Sequence, residues 1–382
     1  MTRVTGDWIN SPAAQAVCRA IAQAGHQVFF VGGCVRNDLL GAPISDLDLS
    51  TDARPDQVMQ IAEGAGLRAV PTGIEHGTVT VVADGEGLEV TTYRKDVETD
   101  GRRAVVAFSD NLEDDAHRRD FTMNALYAAP DGHIVDPLGG GLDDLNARRV
   151  RFIDDAGDRI REDYLRTLRL FRFHAWYGDP EKGIDEDGLA GVAANLAGLE
   201  SLSHERVGTE MVKLLAAPNP AASIAAMVHT GVLGLVLPAS DATNLPILIH
   251  LEEDRTPDPI RRLAALGGVD VAERLRLSKR DQKRLDVIRR GMASVTPAAE
   301  LAYRHGADVA TDVALLRAAQ MGVSPETGAW VEIEKGAKAT FPVRAADLSS
   351  KFTGPALGAE LRRLETLWIA SGFELKREDL LT

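Results

Sequence analysis

Two short stretches constrain this chain more than any others. Phe29-Phe30-Val31-Gly32-Gly33-Cys34-Val35-Arg36-Asn37-Asp38 is an apolar run that ends in a glycine pair with an arginine close behind. Ile44-Ser45-Asp46-Leu47-Asp48-Leu49-Ser50-Thr51 then brings two carboxylates one residue apart. Side chains along a strand alternate faces, so Asp46 and Asp48 point one way while Leu47 and Leu49 point the other. Neighbouring carboxylates on one face repel each other unless a cation lies between them. Oxygen-rich pairs of this kind suit Mg²⁺, whose remaining ligands are waters and phosphate oxygens. Gly32 and Gly33 let backbone N–H groups approach a phosphate closely, and Arg36 can clamp it. The combination points to a metal-dependent transfer onto or from a nucleoside triphosphate.

Three further stretches extend that reading. In the strand Leu88–Tyr93, Glu89 and Thr91 share a face opposite Val90. Glu89 is thus a third carboxylate, able to complete a two-metal site or to take the proton from an attacking hydroxyl. His117–Ala125 packs Arg118, Arg119, Asp120 and Asn124 into a turn and helix start. Arg119 can bind phosphate, while Asp120 and Asn124 can bind ribose hydroxyls or fix the arginine; a plain helix cap by Asp120 or Thr122 is the structural alternative. Arg161–Arg172 places Asp163, Arg166, Arg169 and Arg172 three residues apart, close neighbours on a helix expected over Glu162–Trp176.

Aspartate offers only acceptors and arginine only donors. Side by side, Asp163 and Arg166 match a base that presents an amino donor beside a ring-nitrogen acceptor. Cytosine and adenine do so; guanine and uracil present the reverse. The pair would therefore accept CTP and ATP, with Arg169 and Arg172 reaching toward the triphosphate. A salt-bridged outer helix face is the bland alternative.

Composition sets outer limits. At 45% hydrophobic and 26% charged, 382 residues make an ordinary globular chain of several domains. No apolar stretch approaches the ~20 residues of a membrane span, and no signal peptide precedes the first helix. Cys18 and Cys34 cannot build a disulfide framework, so a cytoplasmic setting is expected. A net charge of −14 disfavours broad nucleic-acid binding, yet residues 274–290 carry eight Lys/Arg against two Asp, a local patch able to contact an RNA backbone. The Ser203–Glu210 stretch reads as a capped helix start with charge pairs.

Strand and helix signals divide the chain. Strands are expected at Gln27–Val31, Asp46–Leu49, Thr78–Ala83 and Leu88–Tyr93, with a mobile loop over Lys95–Asp115. Beyond Phe152 the pattern is helical. The fold class is therefore α+β: a head over 1–152 with a mixed β-sheet, then all-α segments over 153–238 and 239–382.

Taken together, these residues resemble the class II nucleotidyltransferases, and among them the bacterial CCA-adding tRNA nucleotidyltransferases. The family's Gly-Gly-x-Val-Arg-Asp and Asp-x-Asp pattern is met by Gly32, Gly33, Val35, Arg36, Asp46 and Asp48. Its Arg-Arg-Asp-Phe-Thr-x-Asn-Ala segment is met by Arg118 to Ala125, and its Glu-Asp-x-x-Arg-x-x-Arg-x-x-Arg helix by Glu162, Asp163, Arg166, Arg169 and Arg172. The resemblance implies a polymerase-β-like palm in the head, followed by neck, body and tail helices that hold the tRNA acceptor arm. It implies Asp46 and Asp48 as Mg²⁺ ligands, Glu89 as assisting carboxylate, and Asp163 with Arg166 as base selector. Template-independent addition of CCA to the tRNA 3′ end from CTP and ATP would follow. Poly(A) polymerases and enzymes that add only CC or only A share the head, but the C-terminal Phe373–Thr382 stretch lacks a long basic tail for arbitrary RNA. One departure stands out: Asn37 replaces the usual aspartate, with Asp38 next to it as a possible compensating charge. The sequence leaves the oligomeric state open.

Overall fold

The computed structural model describes residues 2–100, 103–253 and 255–382, with the backbone alone for 96–100 and 103–106. The chain forms two compact units, Met1–Leu214 with Ala222–Val236, and Leu215–Ala221 with Leu237–Thr382.

The first unit is built on a sheet of seven strands. They are β1 (Val28–Val31), β2 (Asp48–Thr51), β3 (Arg68–Gly73), β4 (Thr78–Ala83), β5 (Glu86–Thr92), β8 (Tyr127–Ala128) and β9 (Ile134–Val135). Their spatial order is β3-β4-β5-β2-β1-β8-β9, and a separate hairpin is formed by β6 (Arg94–Asp100) and β7 (Arg103–Phe108). β2 runs antiparallel to β1 but parallel to β5, which sets Asp48 beside Glu89 and Leu49 beside Val90. The apolar alternation of these strands fixes which face is buried: Leu49, Val79, Val81, Leu88 and Val90 are all inside.

Helices α1 (Pro12–Gln23), α2 (Gly33–Leu40), α3 (Pro55–Gly64), α4 (Leu112–His117) and α5 (Gly141–Asn146) belong with the sheet. They are followed by α6 (Ala156–Glu162), α7 (Leu165–Tyr177), α8 (Glu186–Ala194), α9 (His204–Leu215), α10 (Ala221–His229) and α11 (Val232–Val236). Behind β1 a buried cluster of Val31, Ala116, Ala125, Tyr127 and Ile153 ties α4 to the strands.

Three expectations change here. β2 covers Asp48–Thr51 rather than Asp46–Leu49, because its ladders to β1 and β5 pair these four residues and leave Asp46 just outside. The expected loop over Lys95–Asp115 is instead the β6–β7 hairpin followed by α4; the polar residues of these strands conceal their β-branched positions. Its Asp100-Gly101 turn falls partly outside the described residues. β3 gave no clear signal because it is an edge strand with Pro71 at an irregularity between Val70 and Gly73.

The second unit is helical: α12 (Leu245–Glu252), α13 (Pro259–Leu266), α14 (Val271–Arg274), α15 (Lys279–Met292), α16 (Ala298–His305), α17 (Ala307–Met321), α18 (Thr327–Lys338), α19 (Ala345–Leu348), α20 (Gly354–Ala370) and α21 (Arg377–Leu381). Trp368 anchors its end, with ring centroids 4.8–5.5 Å from those of Phe373, Tyr303 and Phe341. α16 and α18 approach so closely that a Cβ at Gly336 would lie 1.9 Å from the carbonyl oxygen of Ala299. Nearer the start of this unit, Arg262 is 1% exposed and binds Glu252 at 2.7 Å. It also donates to the carbonyls of Leu215 (2.8 Å) and Pro218 (3.1 Å). Arg261 joins Glu252 to Asp312, and Arg284 joins Asp312 to Asp258.

Removing one partner of such a network strands a charge in the interior. Arg262→Ala is therefore expected to lower the stability of the full chain by about 3–5 kcal/mol in urea unfolding.

Candidate active site

The site begins where β1 ends. Gly32 adopts φ 74° and ψ −120° and starts α2 without a side-chain cap. That backbone region disfavours residues with a Cβ, and the uncapped N–H groups that follow are open to an anion.

The acidic floor lies on the neighbouring strands. Asp46, Asp48 and Glu89 line a cleft of about 800 Å³ together with Trp8, Ser45 and Glu86. Ser45 Oγ donates to Asp46 Oδ2 at 2.8 Å. Partial desolvation, then the charge of Glu89, raise the Asp48 carboxyl above its ordinary value; Asp46 adds to this, and Arg119 opposes it. No group of three His, Cys, Asp or Glu among the described residues is drawn together tightly enough to cage a metal by itself. The donor set nevertheless fits a hard divalent cation held by one or two carboxylates, with waters and phosphate oxygens completing the shell. Asp46 and Asp48 would hold it.

Arg119 sits above this floor. Its Nε donates to Tyr127 Oη (3.0 Å) and its Nη2 to Asp115 Oδ2 (2.9 Å). Its Nη1 lies 3.5 Å from where a Cβ on Gly32 would be. Burial pushes the Asp115 carboxyl up, but the charge and hydrogen bond of Arg119 outweigh it and hold Asp115 below its ordinary value.

Arg36 is placed differently from a clamp. It is buried, stacks 4.1 Å above the Tyr177 ring and 5.1 Å from that of Phe173, and each of its three nitrogens has a protein acceptor. Nε and Nη2 donate to Asn37 Oδ1, Nη1 to Asn124 Oδ1 (2.6 Å), and Nη2 also to Tyr177 Oη (2.9 Å). Asn37 serves here as a neutral acceptor and donates in turn to the carbonyl of Pro43. Asp38 does not replace the missing charge. It accepts from Thr5 N, Gly6 N and Trp8 Nε1 and so secures the N-terminal segment.

Asp120 and Asn124 fix arginines. Asp120 Oδ1 accepts from Phe121 N and Asn124 Nδ2, and Oδ2 accepts from Arg169 Nε at 2.7 Å. A continuous chain thus runs Arg36–Asn124–Asp120–Arg169 from α2 to α7.

The expected continuous helix over Glu162–Trp176 is broken. α6 stops at Glu162, Asp163 is extended (φ −151°, ψ 104°), and its Oδ1 accepts from Leu165 N at 3.1 Å as α7 starts. Asp163 therefore stands in a corner and not on the stripe of Arg166, Arg169 and Arg172. Asp163 and Arg166 also have separate partners. Asp163 pairs with Arg206 at 2.6 Å. Arg166 pairs with Glu162 and donates to the carbonyls of Arg159 (2.9 Å) and Arg118 (3.2 Å). Arg172 pairs with the buried Glu210 at 2.5 Å and stacks on Phe173.

Sequence reading missed Asp115, Tyr127, Tyr177, Arg206 and Glu210. Asp115 lies on α4, four residues before Arg119, which stands just past the end of that helix; an i,i+4 spacing is the sequence signal of such an ion pair. Arg206 and Glu210 lay in the stretch read as structural; their partners come from a different helix, which no local pattern reveals.

Asp120 yields a pH prediction. Burial pushes its carboxyl up, yet Arg169 and the hydrogen bonds of Asn124 hold it below its ordinary value. A depressed carboxylate stabilises the fold above the ordinary range, and that stability is lost as pH falls through the folded-state value. Asp120→Asn should cost about 3 kcal/mol at pH 7, with the gap to the parent closing below about pH 4 in urea unfolding.

Known proteins share the sequence and the fold of this chain. A family model described as a poly A polymerase head domain matches residues 28–151, and one described as a probable RNA- and SrmB-binding site of polymerase A matches 183–243. The chain is 32% identical over 394 residues to the mitochondrial CCA tRNA nucleotidyltransferase 1 of Mus musculus, covering 96% of this chain and 88% of that one. It is 41% identical over 219 residues to the CCA-adding enzyme of Limosilactobacillus fermentum, covering 57% of this chain and 53% of that one. Among solved structures, the Bacillus stearothermophilus CCA-adding enzyme in complex with CTP superposes with a TM-score of 0.75 at 29% identity, covering 94% and 92% of the two chains. The Thermotoga maritima CCA-adding enzyme complexed with tRNA shares the fold at a TM-score of 0.71 and 18% identity, covering 96% and 92%. The chain belongs to the CCA tRNA nucleotidyltransferase family.

Proposed function

We propose that this nucleotidyltransferase completes the 3′ end of tRNA with C, C and A from CTP and ATP, without a template. The observation that carries the reading is the registered pair Asp48 and Glu89, with Asp46 in the same cleft and Arg119 close to the Gly32 turn. The family requires a divalent metal, and Mg²⁺ is our choice because its preferred ligands match two aspartates plus phosphate oxygens. Mg²⁺ would supply the positive charge that stabilises the attacking and leaving oxygens.

The chain's own residues divide the remaining work. Arg119 and the N–H groups after Gly32 and Gly33 receive the triphosphate. Glu89 takes the proton of the tRNA 3′-hydroxyl as that oxygen bonds to the α-phosphorus, and the bond from the α-phosphorus to the bridging oxygen breaks to release pyrophosphate. Asp163 accepts from the amino group of cytosine or adenine, and Arg166 donates to the adjacent ring nitrogen. On nucleotide entry they exchange Arg206 and Glu162 for the base edge. Arg36, Asp120, Asn124, Arg169 and Arg172 form the nucleotide pocket's bracket, which holds α7 against the head.

We assign residues 1–152 to the head, 153–238 to a base-selecting neck, and 239–382 to a tRNA-holding body and tail. In the second unit Arg284 and Arg289 face inward, onto Asp258 and Asp312 and onto the carbonyls of Gly267 and Gly268. Arg284 also lines a cleft of about 940 Å³ with Arg255, Arg280, Lys283, Arg304 and His305; Asp258, Asp281, Asp308 and Asp312 share its wall, and the cations not neutralised there can meet RNA phosphates. No helix among the described residues is long and apolar enough to cross a membrane. Cys18 and Cys34 are buried and unpaired, which accords with a cytoplasmic setting, although relatives include mitochondrial proteins.

The test is nucleotide incorporation with Mg²⁺ on tRNA lacking CCA, tRNA ending in CC, and oligo(A), sized at single-nucleotide resolution. Addition should stop at CCA on the first, add one A to the second and leave oligo(A) unextended. A stall after CC, A addition to the CC-ended RNA alone, or a long A ladder would each replace this reading with a CC-adding enzyme, an A-adding enzyme or a poly(A) polymerase. Asp48→Asn should lower kcat at least about a hundredfold. Asp163→Ala should lower kcat/KM for CTP and ATP by about tenfold to a hundredfold and narrow the preference over UTP and GTP in competition assays.

A further inference from the structure

Asp115 is 1% exposed and gathers three donors on a single oxygen. Its Oδ2 accepts from Tyr127 Oη (2.8 Å), Arg119 Nη2 (2.9 Å) and Ser50 Oγ (3.2 Å). Its other oxygen, Oδ1, is buried with no hydrogen-bond partner among the described residues. Leaving a buried acceptor unmade is costly, so a residue serving packing alone would do better as an apolar or amide side chain. What the charge secures is Arg119. With Nε on Tyr127 and Nη2 on Asp115, two of the three guanidinium nitrogens are engaged, and Nη1 makes no hydrogen bond among the described residues. That nitrogen is the one nearest Gly32. Ser50 meanwhile lies two residues after Asp48 in β2, on the same face of the strand.

We infer that Asp115 is a positioning residue for phosphate recognition, holding Arg119 with Nη1 toward the Gly32 turn and pinning, through Ser50, the strand that carries Asp48. An arginine immobilised before binding has little rotamer freedom left to lose when the nucleotide arrives, so its charge acts on the phosphates at lower entropic cost. Asp115 itself touches no substrate. The inference rests on the reading of Arg119 as a phosphate ligand.

The experiment compares binding of CTP and CMP to the full chain without tRNA, so that no turnover occurs. Asp115→Asn keeps the shape and removes the charge. It should weaken CTP about tenfold or more while leaving CMP unchanged. Arg119→Ala should show the same selective loss, and the double variant should lose no more than Arg119→Ala alone. If Asp115→Asn weakens CTP and CMP alike, Asp115 is merely structural and the inference fails; unchanged CTP affinity also overturns it. If Arg119→Ala leaves the ratio of CTP to CMP affinity intact, the phosphate reading of Arg119 is what fails. Should Asp115→Asn not fold, Tyr127→Phe removes the hydroxyl shared by both residues and is read the same way: a loss confined to CTP supports the inference, and any other outcome overturns it.

Discussion

The parallel pairing of β2 with β5 is the contact on which the site depends. Most of the sheet is antiparallel, but this one parallel ladder carries Asp48 and Glu89 side by side from segments about forty residues apart. Burial first, and then repulsion from Glu89 with Asp46 close by, raise the Asp48 carboxyl above its ordinary value. Hydrophobic burial of Leu49, Val79 and Val90 on the opposite face holds the arrangement in place. The core thus sustains an electrostatic arrangement that isolated strands would not hold, and a divalent cation bound by Asp46 and Asp48 would relieve it.

Above that floor the cations are graded by how firmly they are held. Arg36 and Arg169 are locked into a chain of hydrogen bonds through Asn124 and Asp120, and stacking on Tyr177 and Phe173 adds apolar contact. Arg119 is held on two nitrogens, and its third makes no hydrogen bond among the described residues. Asp163 is paired with Arg206, and Arg166 with Glu162 and the carbonyls of Arg159 and Arg118. The same residue types thus differ in the number of internal partners each one has, and on the function proposed above they would serve as a bracket, a phosphate contact and a selector.

The triplet spacing from Asp163 to Arg172 illustrates how a sequence pattern can suggest a geometry that the structure does not adopt. A strict three-residue step is compatible with one helix face, but Asp163 prefers to bond the N–H of Leu165 and to pair with Arg206 in an extended corner. An aspartate is well suited to that competition with helix continuation. The break turns the Asp163 carboxylate away from the stripe of Arg166, Arg169 and Arg172 and toward Arg206. Asn37 makes a related point. At a position facing an arginine, a neutral amide oxygen accepts the same two hydrogen bonds, so the charge itself is dispensable for holding Arg36.

By itself the sequence determined the α+β class, the strand–glycine–helix turn at Gly32, the carboxylates Asp46, Asp48 and Glu89, and the arginine-rich segments. These are legible because alternation, helical spacing and turn chemistry act over a few residues. Only the tertiary structure decided which arginines are spent internally, that Asp115 and Tyr127 support Arg119, that Asp38 serves the N-terminal segment, and that within the basic run at 274–290 Arg284 is paired with Asp258 and Asp312 while Arg289 binds the carbonyls of Gly267 and Gly268. Those outcomes depend on partners tens of residues away, brought together by burial of apolar faces, and a charged side chain's role follows from the partner it meets.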